Sequence, residues 1–178
     1  MALVFQYGSN ATRARLLGPK RLNGHGDVIG PAETVEDYDI AFDVFSTTNK
    51  CAAGDLVPTP GRKAWGVLYD IPDEFIRGKR KDDQKTLENI EGSNYEEKEI
   101  RVRRPGREPM TSVTFLVKRD KRSTGLITGA WYVSWIVYGL REQGVPEEYV
   151  QHVVDVALET NHRAVTTGQE QSDLIRSL

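Results

Sequence analysis

The chain has 178 residues, 38% hydrophobic and 28% charged, which suits one domain with a proper core. Twenty-four Lys and Arg stand against 26 Asp and Glu, and a net charge of −2 offers no global attraction to nucleic acid or an anionic membrane. The single cysteine, Cys51, excludes an intrachain disulfide framework and a cysteine-rich zinc site. No apolar run approaches the roughly 18 residues of a membrane span. Met1-Ala2-Leu3 lacks a basic region and apolar character stops at Phe5, so no signal peptide is expected there and a cytoplasmic protein is.

Leu3, Val4 and Phe5 suit a strand, and Gly8-Ser9-Asn10 ends it in a turn. Thr12 to Leu17 has the composition of one or two helical turns. Strand, small-residue turn and helix together present backbone N–H groups that suit a carboxylate, a phosphate or a developing oxyanion. Lys20 to Pro31 is glycine-rich and reads as an irregular loop, with a short strand possible at Val28-Ile29. From Tyr38 to Phe45 apolar and polar residues alternate, which predicts a half-buried strand. Cys51 to Pro58 becomes a short strand, and Pro58 to Gly61 a turn.

Lys63 to Ile71 is the strongest strand, with interior Gly66 implying a bulge or a close neighbouring backbone. Pro72 to Ile76 opens a helix. Gly78 to Gln84 is a charged surface loop, and Lys85 to Glu91 a short helix ended by Gly92. Tyr95 to Val102 and Thr111 to Lys118 are strands about a turn at Arg103 to Arg107. The segment Ala130 to Tyr138 is apolar almost all round, a buried helix stopped by Gly144. Pro146 starts another, with Tyr149, Val150, Val153, Val154, Ala157 and Leu158 at helical spacing. Residues 166–178 read as a weakly attached tail after a single domain over 1–165. Strands first and a helical pair last predict an α+β domain.

His25, His152 and His162 have no ligand spacing, so no metal is expected. Ser9 lacks the surroundings of a nucleophile elbow, and its hydroxyl is read as satisfying the turn. Cys51 is read as a small, semi-buried residue. Gly24-His25-Gly26 matches neither nucleotide-binding pattern. The basic stretches at 79–81, 101–107 and 118–122 have little aromatic interleaving and acidic neighbours, which favours a solvated face over nucleic acid. Glu91 stands at a helix end before Gly92, where a side chain can enter a cleft or remain an ordinary surface glutamate.

Four ordered segments carry a resemblance. VFQYGSN resembles the opening of the γ-glutamylcyclotransferase-like (AIG2-like) proteins, and AAGDLVPTPGRKAWGVLYDI their Pro-Gly turn and Gly-Val strand. LENIEG with Tyr95 is similar to their Leu-Asp-x-x-Glu-Gly…Tyr segment, and WYVSWIVYGLREQGVPEEYVQHV to their closing helices. The likeness runs from Leu3 to about Val154. It implies a small mixed β-barrel with short helices and a C-terminal helical pair. It also implies an enzyme that converts a γ-glutamyl amide into 5-oxoproline and a free amine, with no cofactor. The implied catalytic residue is Glu91, and Tyr7, Gly8, Ser9, Asn10 and Tyr95 match the substrate site.

In such chemistry the substrate's own α-amine attacks its γ-carbonyl, so no protein nucleophile is needed. The protein supplies orientation, backbone donors from Gly8 to Asn10, and a general acid/base at Glu91. The family's Asp three before that glutamate is Glu88 here, and Lys79 to Gln84 is inserted where it lengthens the approach. Tyr-Gly-Ser-Asn replaces the Tyr-Gly-Ser-Leu of the glutathione-specific branch, which turns the expectation away from glutathione. A γ-glutamyl amino acid, a γ-glutamylamine and a γ-glutamylated biosynthetic intermediate stay open. The reading from another class is a small-ligand binding or regulatory protein on the same fold.

Overall fold

The computed structural model describes residues 1–78, 84–164 and 169–178. Among the described residues, seven strands and five α-helices make an α+β domain. The strands are β1 (Ala2–Gln6), β2 (Asp27–Thr34), β3 (Tyr38–Ser46), β4 (Cys51–Pro58), β5 (Trp65–Ile71), β6 (Tyr95–Arg103) and β7 (Met110–Val117). The helices are α1 (Arg13–Leu16), α2 (Leu87–Glu91), α3 (Ala130–Glu142), α4 (Glu147–Arg163) and α5 (Gln169–Arg176).

Five strands close a barrel in the order β1-β5-β2-β6-β7, and β3 and β4 form a separate antiparallel hairpin. The barrel is mixed: β1 runs parallel to β7 at Val4 and Val113, and the other pairs are antiparallel. Closure removes the free edges that a small open sheet would expose. Val4, Phe5, Val67, Leu68, Tyr69 and Ile71 are fully buried in it.

Gly66 is required by closeness rather than by its torsion angles. A Cβ there would lie 2.6 Å from the Gln6 carbonyl oxygen and 2.7 Å from the Phe5 ring. Glycine at this point lets β1 and β5 approach, and β1 ends at the site described below.

Three expectations change. Strand β2 extends over Asp27–Thr34, well beyond Val28-Ile29. It holds a register shift between Val28 and Gly30, and Gly30 has φ +129°. Pro31 is tolerated because β2 pairs with β6 only at Glu33 and Thr34, leaving one edge unpaired at the proline. The segment after Pro72 is a 3₁₀ turn over Asp73–Phe75 rather than a longer helix. Instead of a loose tail, Gln169–Arg176 forms α5, which packs on α3 and α4. Ile175 is fully buried and Ser172 nearly so, while Gln171 accepts a hydrogen bond from the Ala130 N–H at 3.0 Å. One buried isoleucine at helical spacing from a serine is too weak a stripe to stand out in the sequence. The inserted residues Lys79–Asp83 lie outside the described residues.

Candidate active site

Strand β1 leads directly into the site. Tyr7 is buried, and its hydroxyl donates to the Phe115 carbonyl on β7 at 2.6 Å. The chain then turns through Gly8 into a 3₁₀ turn, Ser9–Ala11, closed by the Ala11 N–H on the Gly8 carbonyl at 2.9 Å. The first N–H groups of such a turn have no partner within it. Two contacts hold the turn from outside: Tyr69 donates to the Ala11 carbonyl at 2.9 Å, and the Thr12 hydroxyl donates to the Trp135 carbonyl on α3.

Helix α2 brings Glu91 to the same place. Thr86 caps it in a capping box with Asn89, Leu87 is buried, and Gly92 at φ +81° ends it. Glu91, its last residue, is half-buried, and Oε1 accepts a hydrogen bond from Asn10 Nδ2 at 2.9 Å. Asn10 Oδ1 in turn accepts from Arg21 Nη1 at 2.6 Å. Arg21 thereby turns the carboxamide so that its NH₂ faces Glu91. Burial raises the Glu91 carboxyl above the usual glutamate range. The Asn10 hydrogen bond, the Arg21 charge, Gln6 and Arg15 oppose that rise. Burial also lowers Arg21 to about 10, with help from neighbouring Arg15.

Three tyrosines surround the carboxylate. Tyr95, the first residue of β6, donates to the Gly54 carbonyl at 2.8 Å. Tyr132 of α3 accepts from the Gly54 N–H at 3.0 Å. Gly54 in β4 thus ties two elements to one residue. A side chain there would meet the Tyr132 hydroxyl at 3.7 Å and the Gly8 Cα at 3.8 Å. The cleft left among Gln6 to Asn10, Gly54, Glu91, Tyr95, Phe115 and Tyr132 is about 30 Å³. Glu91 and Tyr95 also line an adjoining 220 Å³ pocket under the Phe45 to Thr48 turn. The carboxylate therefore stands between a tight inner cleft and a roomier polar outer pocket. A larger 690 Å³ cavity lies between β3 and α4, around Asp39, Phe42 and His152, and shares none of these residues.

The family model for AIG2-like proteins matches residues 63–153, just over half of the chain. The chain belongs to the AIG2-like family. Among solved structures it is similar to one named gamma-glutamyl cyclotransferase, with TM-score 0.73 and 19% identity over 99% of each chain. It is also similar to an uncharacterised protein from Homo sapiens, with TM-score 0.67 and 21% identity over 98% of each chain. A third likeness is to YkqA from Bacillus subtilis, with TM-score 0.66 and 21% identity over 88% of this chain and 54% of that one. At these identities the likeness is one of fold. No curated protein sequence matches the chain.

Glu91 and Tyr95 fall within the AIG2-like match, and Tyr7 to Asn10 fall before it. The structure brings all six together, although 81 residues separate Asn10 from Glu91. It also brings in Gln6, Arg15, Arg21, Gly54 and Tyr132, which the sequence does not single out. Arg15 donates through Nε to Ser9 Oγ at 3.2 Å and lies 5.5 Å from the Trp131 ring centre. Tyr132 sits in a helix that reads as uniformly apolar, and Gly54 in a small-residue strand, so neither carries a local signal. Among the described residues no group of three or more His, Cys, Asp or Glu is placed to hold a metal ion. No helix there is long and apolar enough to cross a membrane.

Proposed function

We propose that the protein is a γ-glutamyl cyclotransferase that cleaves a γ-glutamyl amide by internal cyclisation, releasing 5-oxoproline and an amine. The observation that carries this reading is Glu91: a half-buried carboxylate, raised by burial and held by Asn10, at the wall of a closed cleft. A carboxyl raised toward working pH is better matched to exchanging protons with an amine.

The γ-glutamyl group lies beside Glu91 where the two cavities meet, and only its α-carboxylate reaches the inner cleft, against the N–H groups of the Gly8-Ser9-Asn10 turn. Its leaving amine extends past Glu91 and Tyr95 into the outer pocket, whose lining is mostly polar. Folding the chain over the turn brings the α-amine to the γ-carbonyl and supplies orientation. Glu91 takes a proton from the attacking amine and delivers it to the departing nitrogen. Tyr7 and Tyr95, with hydroxyls bonded to main-chain carbonyls, act as rigid walls.

The test is a panel of γ-glutamyl amino acids and γ-glutamylamines, scored for 5-oxoproline. Wild-type protein is expected to turn over at least one member. Glu91→Gln keeps the size of the side chain and is expected to lose about 10²- to 10⁴-fold in rate while remaining folded. A folded Glu91→Gln protein with full activity would remove Glu91 from the chemistry. Wild-type protein that binds 5-oxoproline but turns over nothing would instead be a binding protein on this fold.

A further inference from the structure

Hydrogen-bond bookkeeping at the three tyrosines separates one from the others. A phenol has one proton to donate and two acceptor positions. Tyr7 spends its proton on the Phe115 carbonyl, and Tyr95 spends its own on the Gly54 carbonyl. Tyr132 is 3% exposed, and its oxygen accepts a hydrogen bond from the Gly54 N–H, with the Ser9 hydroxyl close by. Arg15 Nε donates to one acceptor position of Ser9 Oγ, which leaves the Ser9 proton available to Tyr132. Among the described residues no protein acceptor takes the Tyr132 proton. The open direction is the cleft, where Gly8 and Gly54 both lack a side chain; a Cβ at either would lie 3.7 Å from the hydroxyl.

Arg15 heads this chain as a cation held by neutral hydrogen-bond partners, with the Glu91 charge acting on it at longer range. Its partners are the Ser9 hydroxyl and Asn49 Oδ1, and Trp131 and Trp135 flank the guanidinium at 5.5 and 5.6 Å. Among the described residues no carboxylate pairs with it. A charged donor at the head of a hydrogen-bond chain polarises each following bond in a low-dielectric site. A parallel chain, Arg21 to Asn10 to Glu91, ends in an acceptor.

We infer that Tyr132 is a catalytic residue: its hydroxyl, aimed by Arg15 and Ser9, donates to the γ-carbonyl oxygen of the substrate as that oxygen becomes an oxyanion. This rests on the cyclotransferase reading. The neutral α-amine nitrogen bonds to the γ-carbon, the carbonyl π pair moves to oxygen, and the surplus amine proton passes to Glu91. The carbonyl then reforms, the bond to the leaving nitrogen breaks, and Glu91 returns that proton to the departing nitrogen. Tyr132 keeps its proton throughout, and burial, by raising its pKa, favours the protonated form at neutral pH. Ser9 is a positioning residue in this scheme.

The test compares wild-type protein, Tyr132→Phe, Ser9→Ala and a protein carrying 3-fluorotyrosine at 132, on a γ-glutamyl substrate that wild type turns over. Tyr132→Phe is expected to lower kcat about 10²- to 10³-fold with KM nearly unchanged. Ser9→Ala is expected to fall between it and wild type. The fluorinated phenol keeps both acceptor positions but is a stronger donor, so kcat shifts while KM and thermal stability hold. A folded Tyr132→Phe protein with unchanged kcat overturns the inference and leaves the cyclotransferase reading standing. If Tyr132→Phe fails to fold, the fluorotyrosine protein decides: unchanged kcat overturns the inference. A wild-type protein that releases 5-oxoproline from none of the panel overturns both.

Discussion

Gly139 lies in the last turn of α3, where alanine would ordinarily stabilise a helix by up to about 1 kcal/mol. Here the sign should reverse. A Cβ at 139 would stand 2.5 Å from the Thr12 nitrogen and 2.7 Å from both the Ala11 carbonyl carbon and Thr12 Oγ, where ordinary contact begins near 3.4 Å. Two of those three atoms are backbone, so no rotamer change relieves the collision; helix and turn must separate by roughly 1 Å. Overpacking of this kind costs about 3 kcal/mol, and subtracting the alanine gain leaves Gly139→Ala destabilised by about 2 kcal/mol. For a chain of this size that lowers Tm by about 4–8 °C. The displaced backbone carries Ser9 and Asn10 just upstream, so turnover should fall as well, by up to about 10²-fold for a 1 Å error in placement. Thermal unfolding followed by circular dichroism, with 5-oxoproline release on the same samples, measures both. A Gly139→Ala protein with Tm at or above wild type would refute the close-packing argument.

Gly54→Ala makes a complementary case. Its Cβ would meet Tyr132, Gly8 and Tyr7 at 3.7 to 3.9 Å, ordinary contact distances, so the fold should survive with Tm within about 2 °C of wild type. The methyl would occupy the cleft, and turnover should drop at least about 10²-fold; a folded, fully active variant would mean that substrate does not lie between Gly8 and Gly54. Asp43 supplies a pH signature of stability. Burial, then the neighbouring Asp55 carboxylate, raises it to about 6 against the pull of Arg122, and its Oδ1 has no hydrogen-bond partner. A raised carboxyl means the folded state binds more protons than the unfolded state, so stability falls as pH rises from about 4 to about 6. The side chain is 22% exposed, and the loss is at most about 3 kcal/mol. Asp43→Asn should abolish that component, so its stability relative to wild type rises across the window in urea unfolding. A difference constant from pH 4 to 7 would refute it.

Much of the fold was legible because its signals are local. Alternation over Tyr38 to Phe45 and the apolar run about Val67 to Ile71 reflect the two-residue period of a strand, which needs no distant partner to be visible. The Gly-Ser-Asn turn, the end of α2 at Gly92 and the start of α4 after Pro146 are likewise written in residues that govern their own backbone. Strand β2 was obscured because Gly30 and Pro31 contradict strand propensity, and only the missing β6 partner at that point makes the proline acceptable. Helix α5 was obscured because its attachment is short, made by Ile175 and by Gln171 reaching Ala130.

The candidate site divides in the same way. The sequence by itself determined the strand, the turn that follows Tyr7 and the helix end that carries Glu91, since each is set by neighbours along the chain. Only the tertiary structure decided that Asn10 holds Glu91 under the orientation of Arg21. It alone placed Gly54 between Tyr95 and Tyr132, and Arg15 and Ser9 behind the Tyr132 hydroxyl. The physical reason is that a hydrogen bond between residues 78 or 81 positions apart leaves no trace in local composition. It exists because barrel closure and the packing of α3 on the turn bring those atoms within 3 Å, and glycine at 54, 66 and 139 permits that approach.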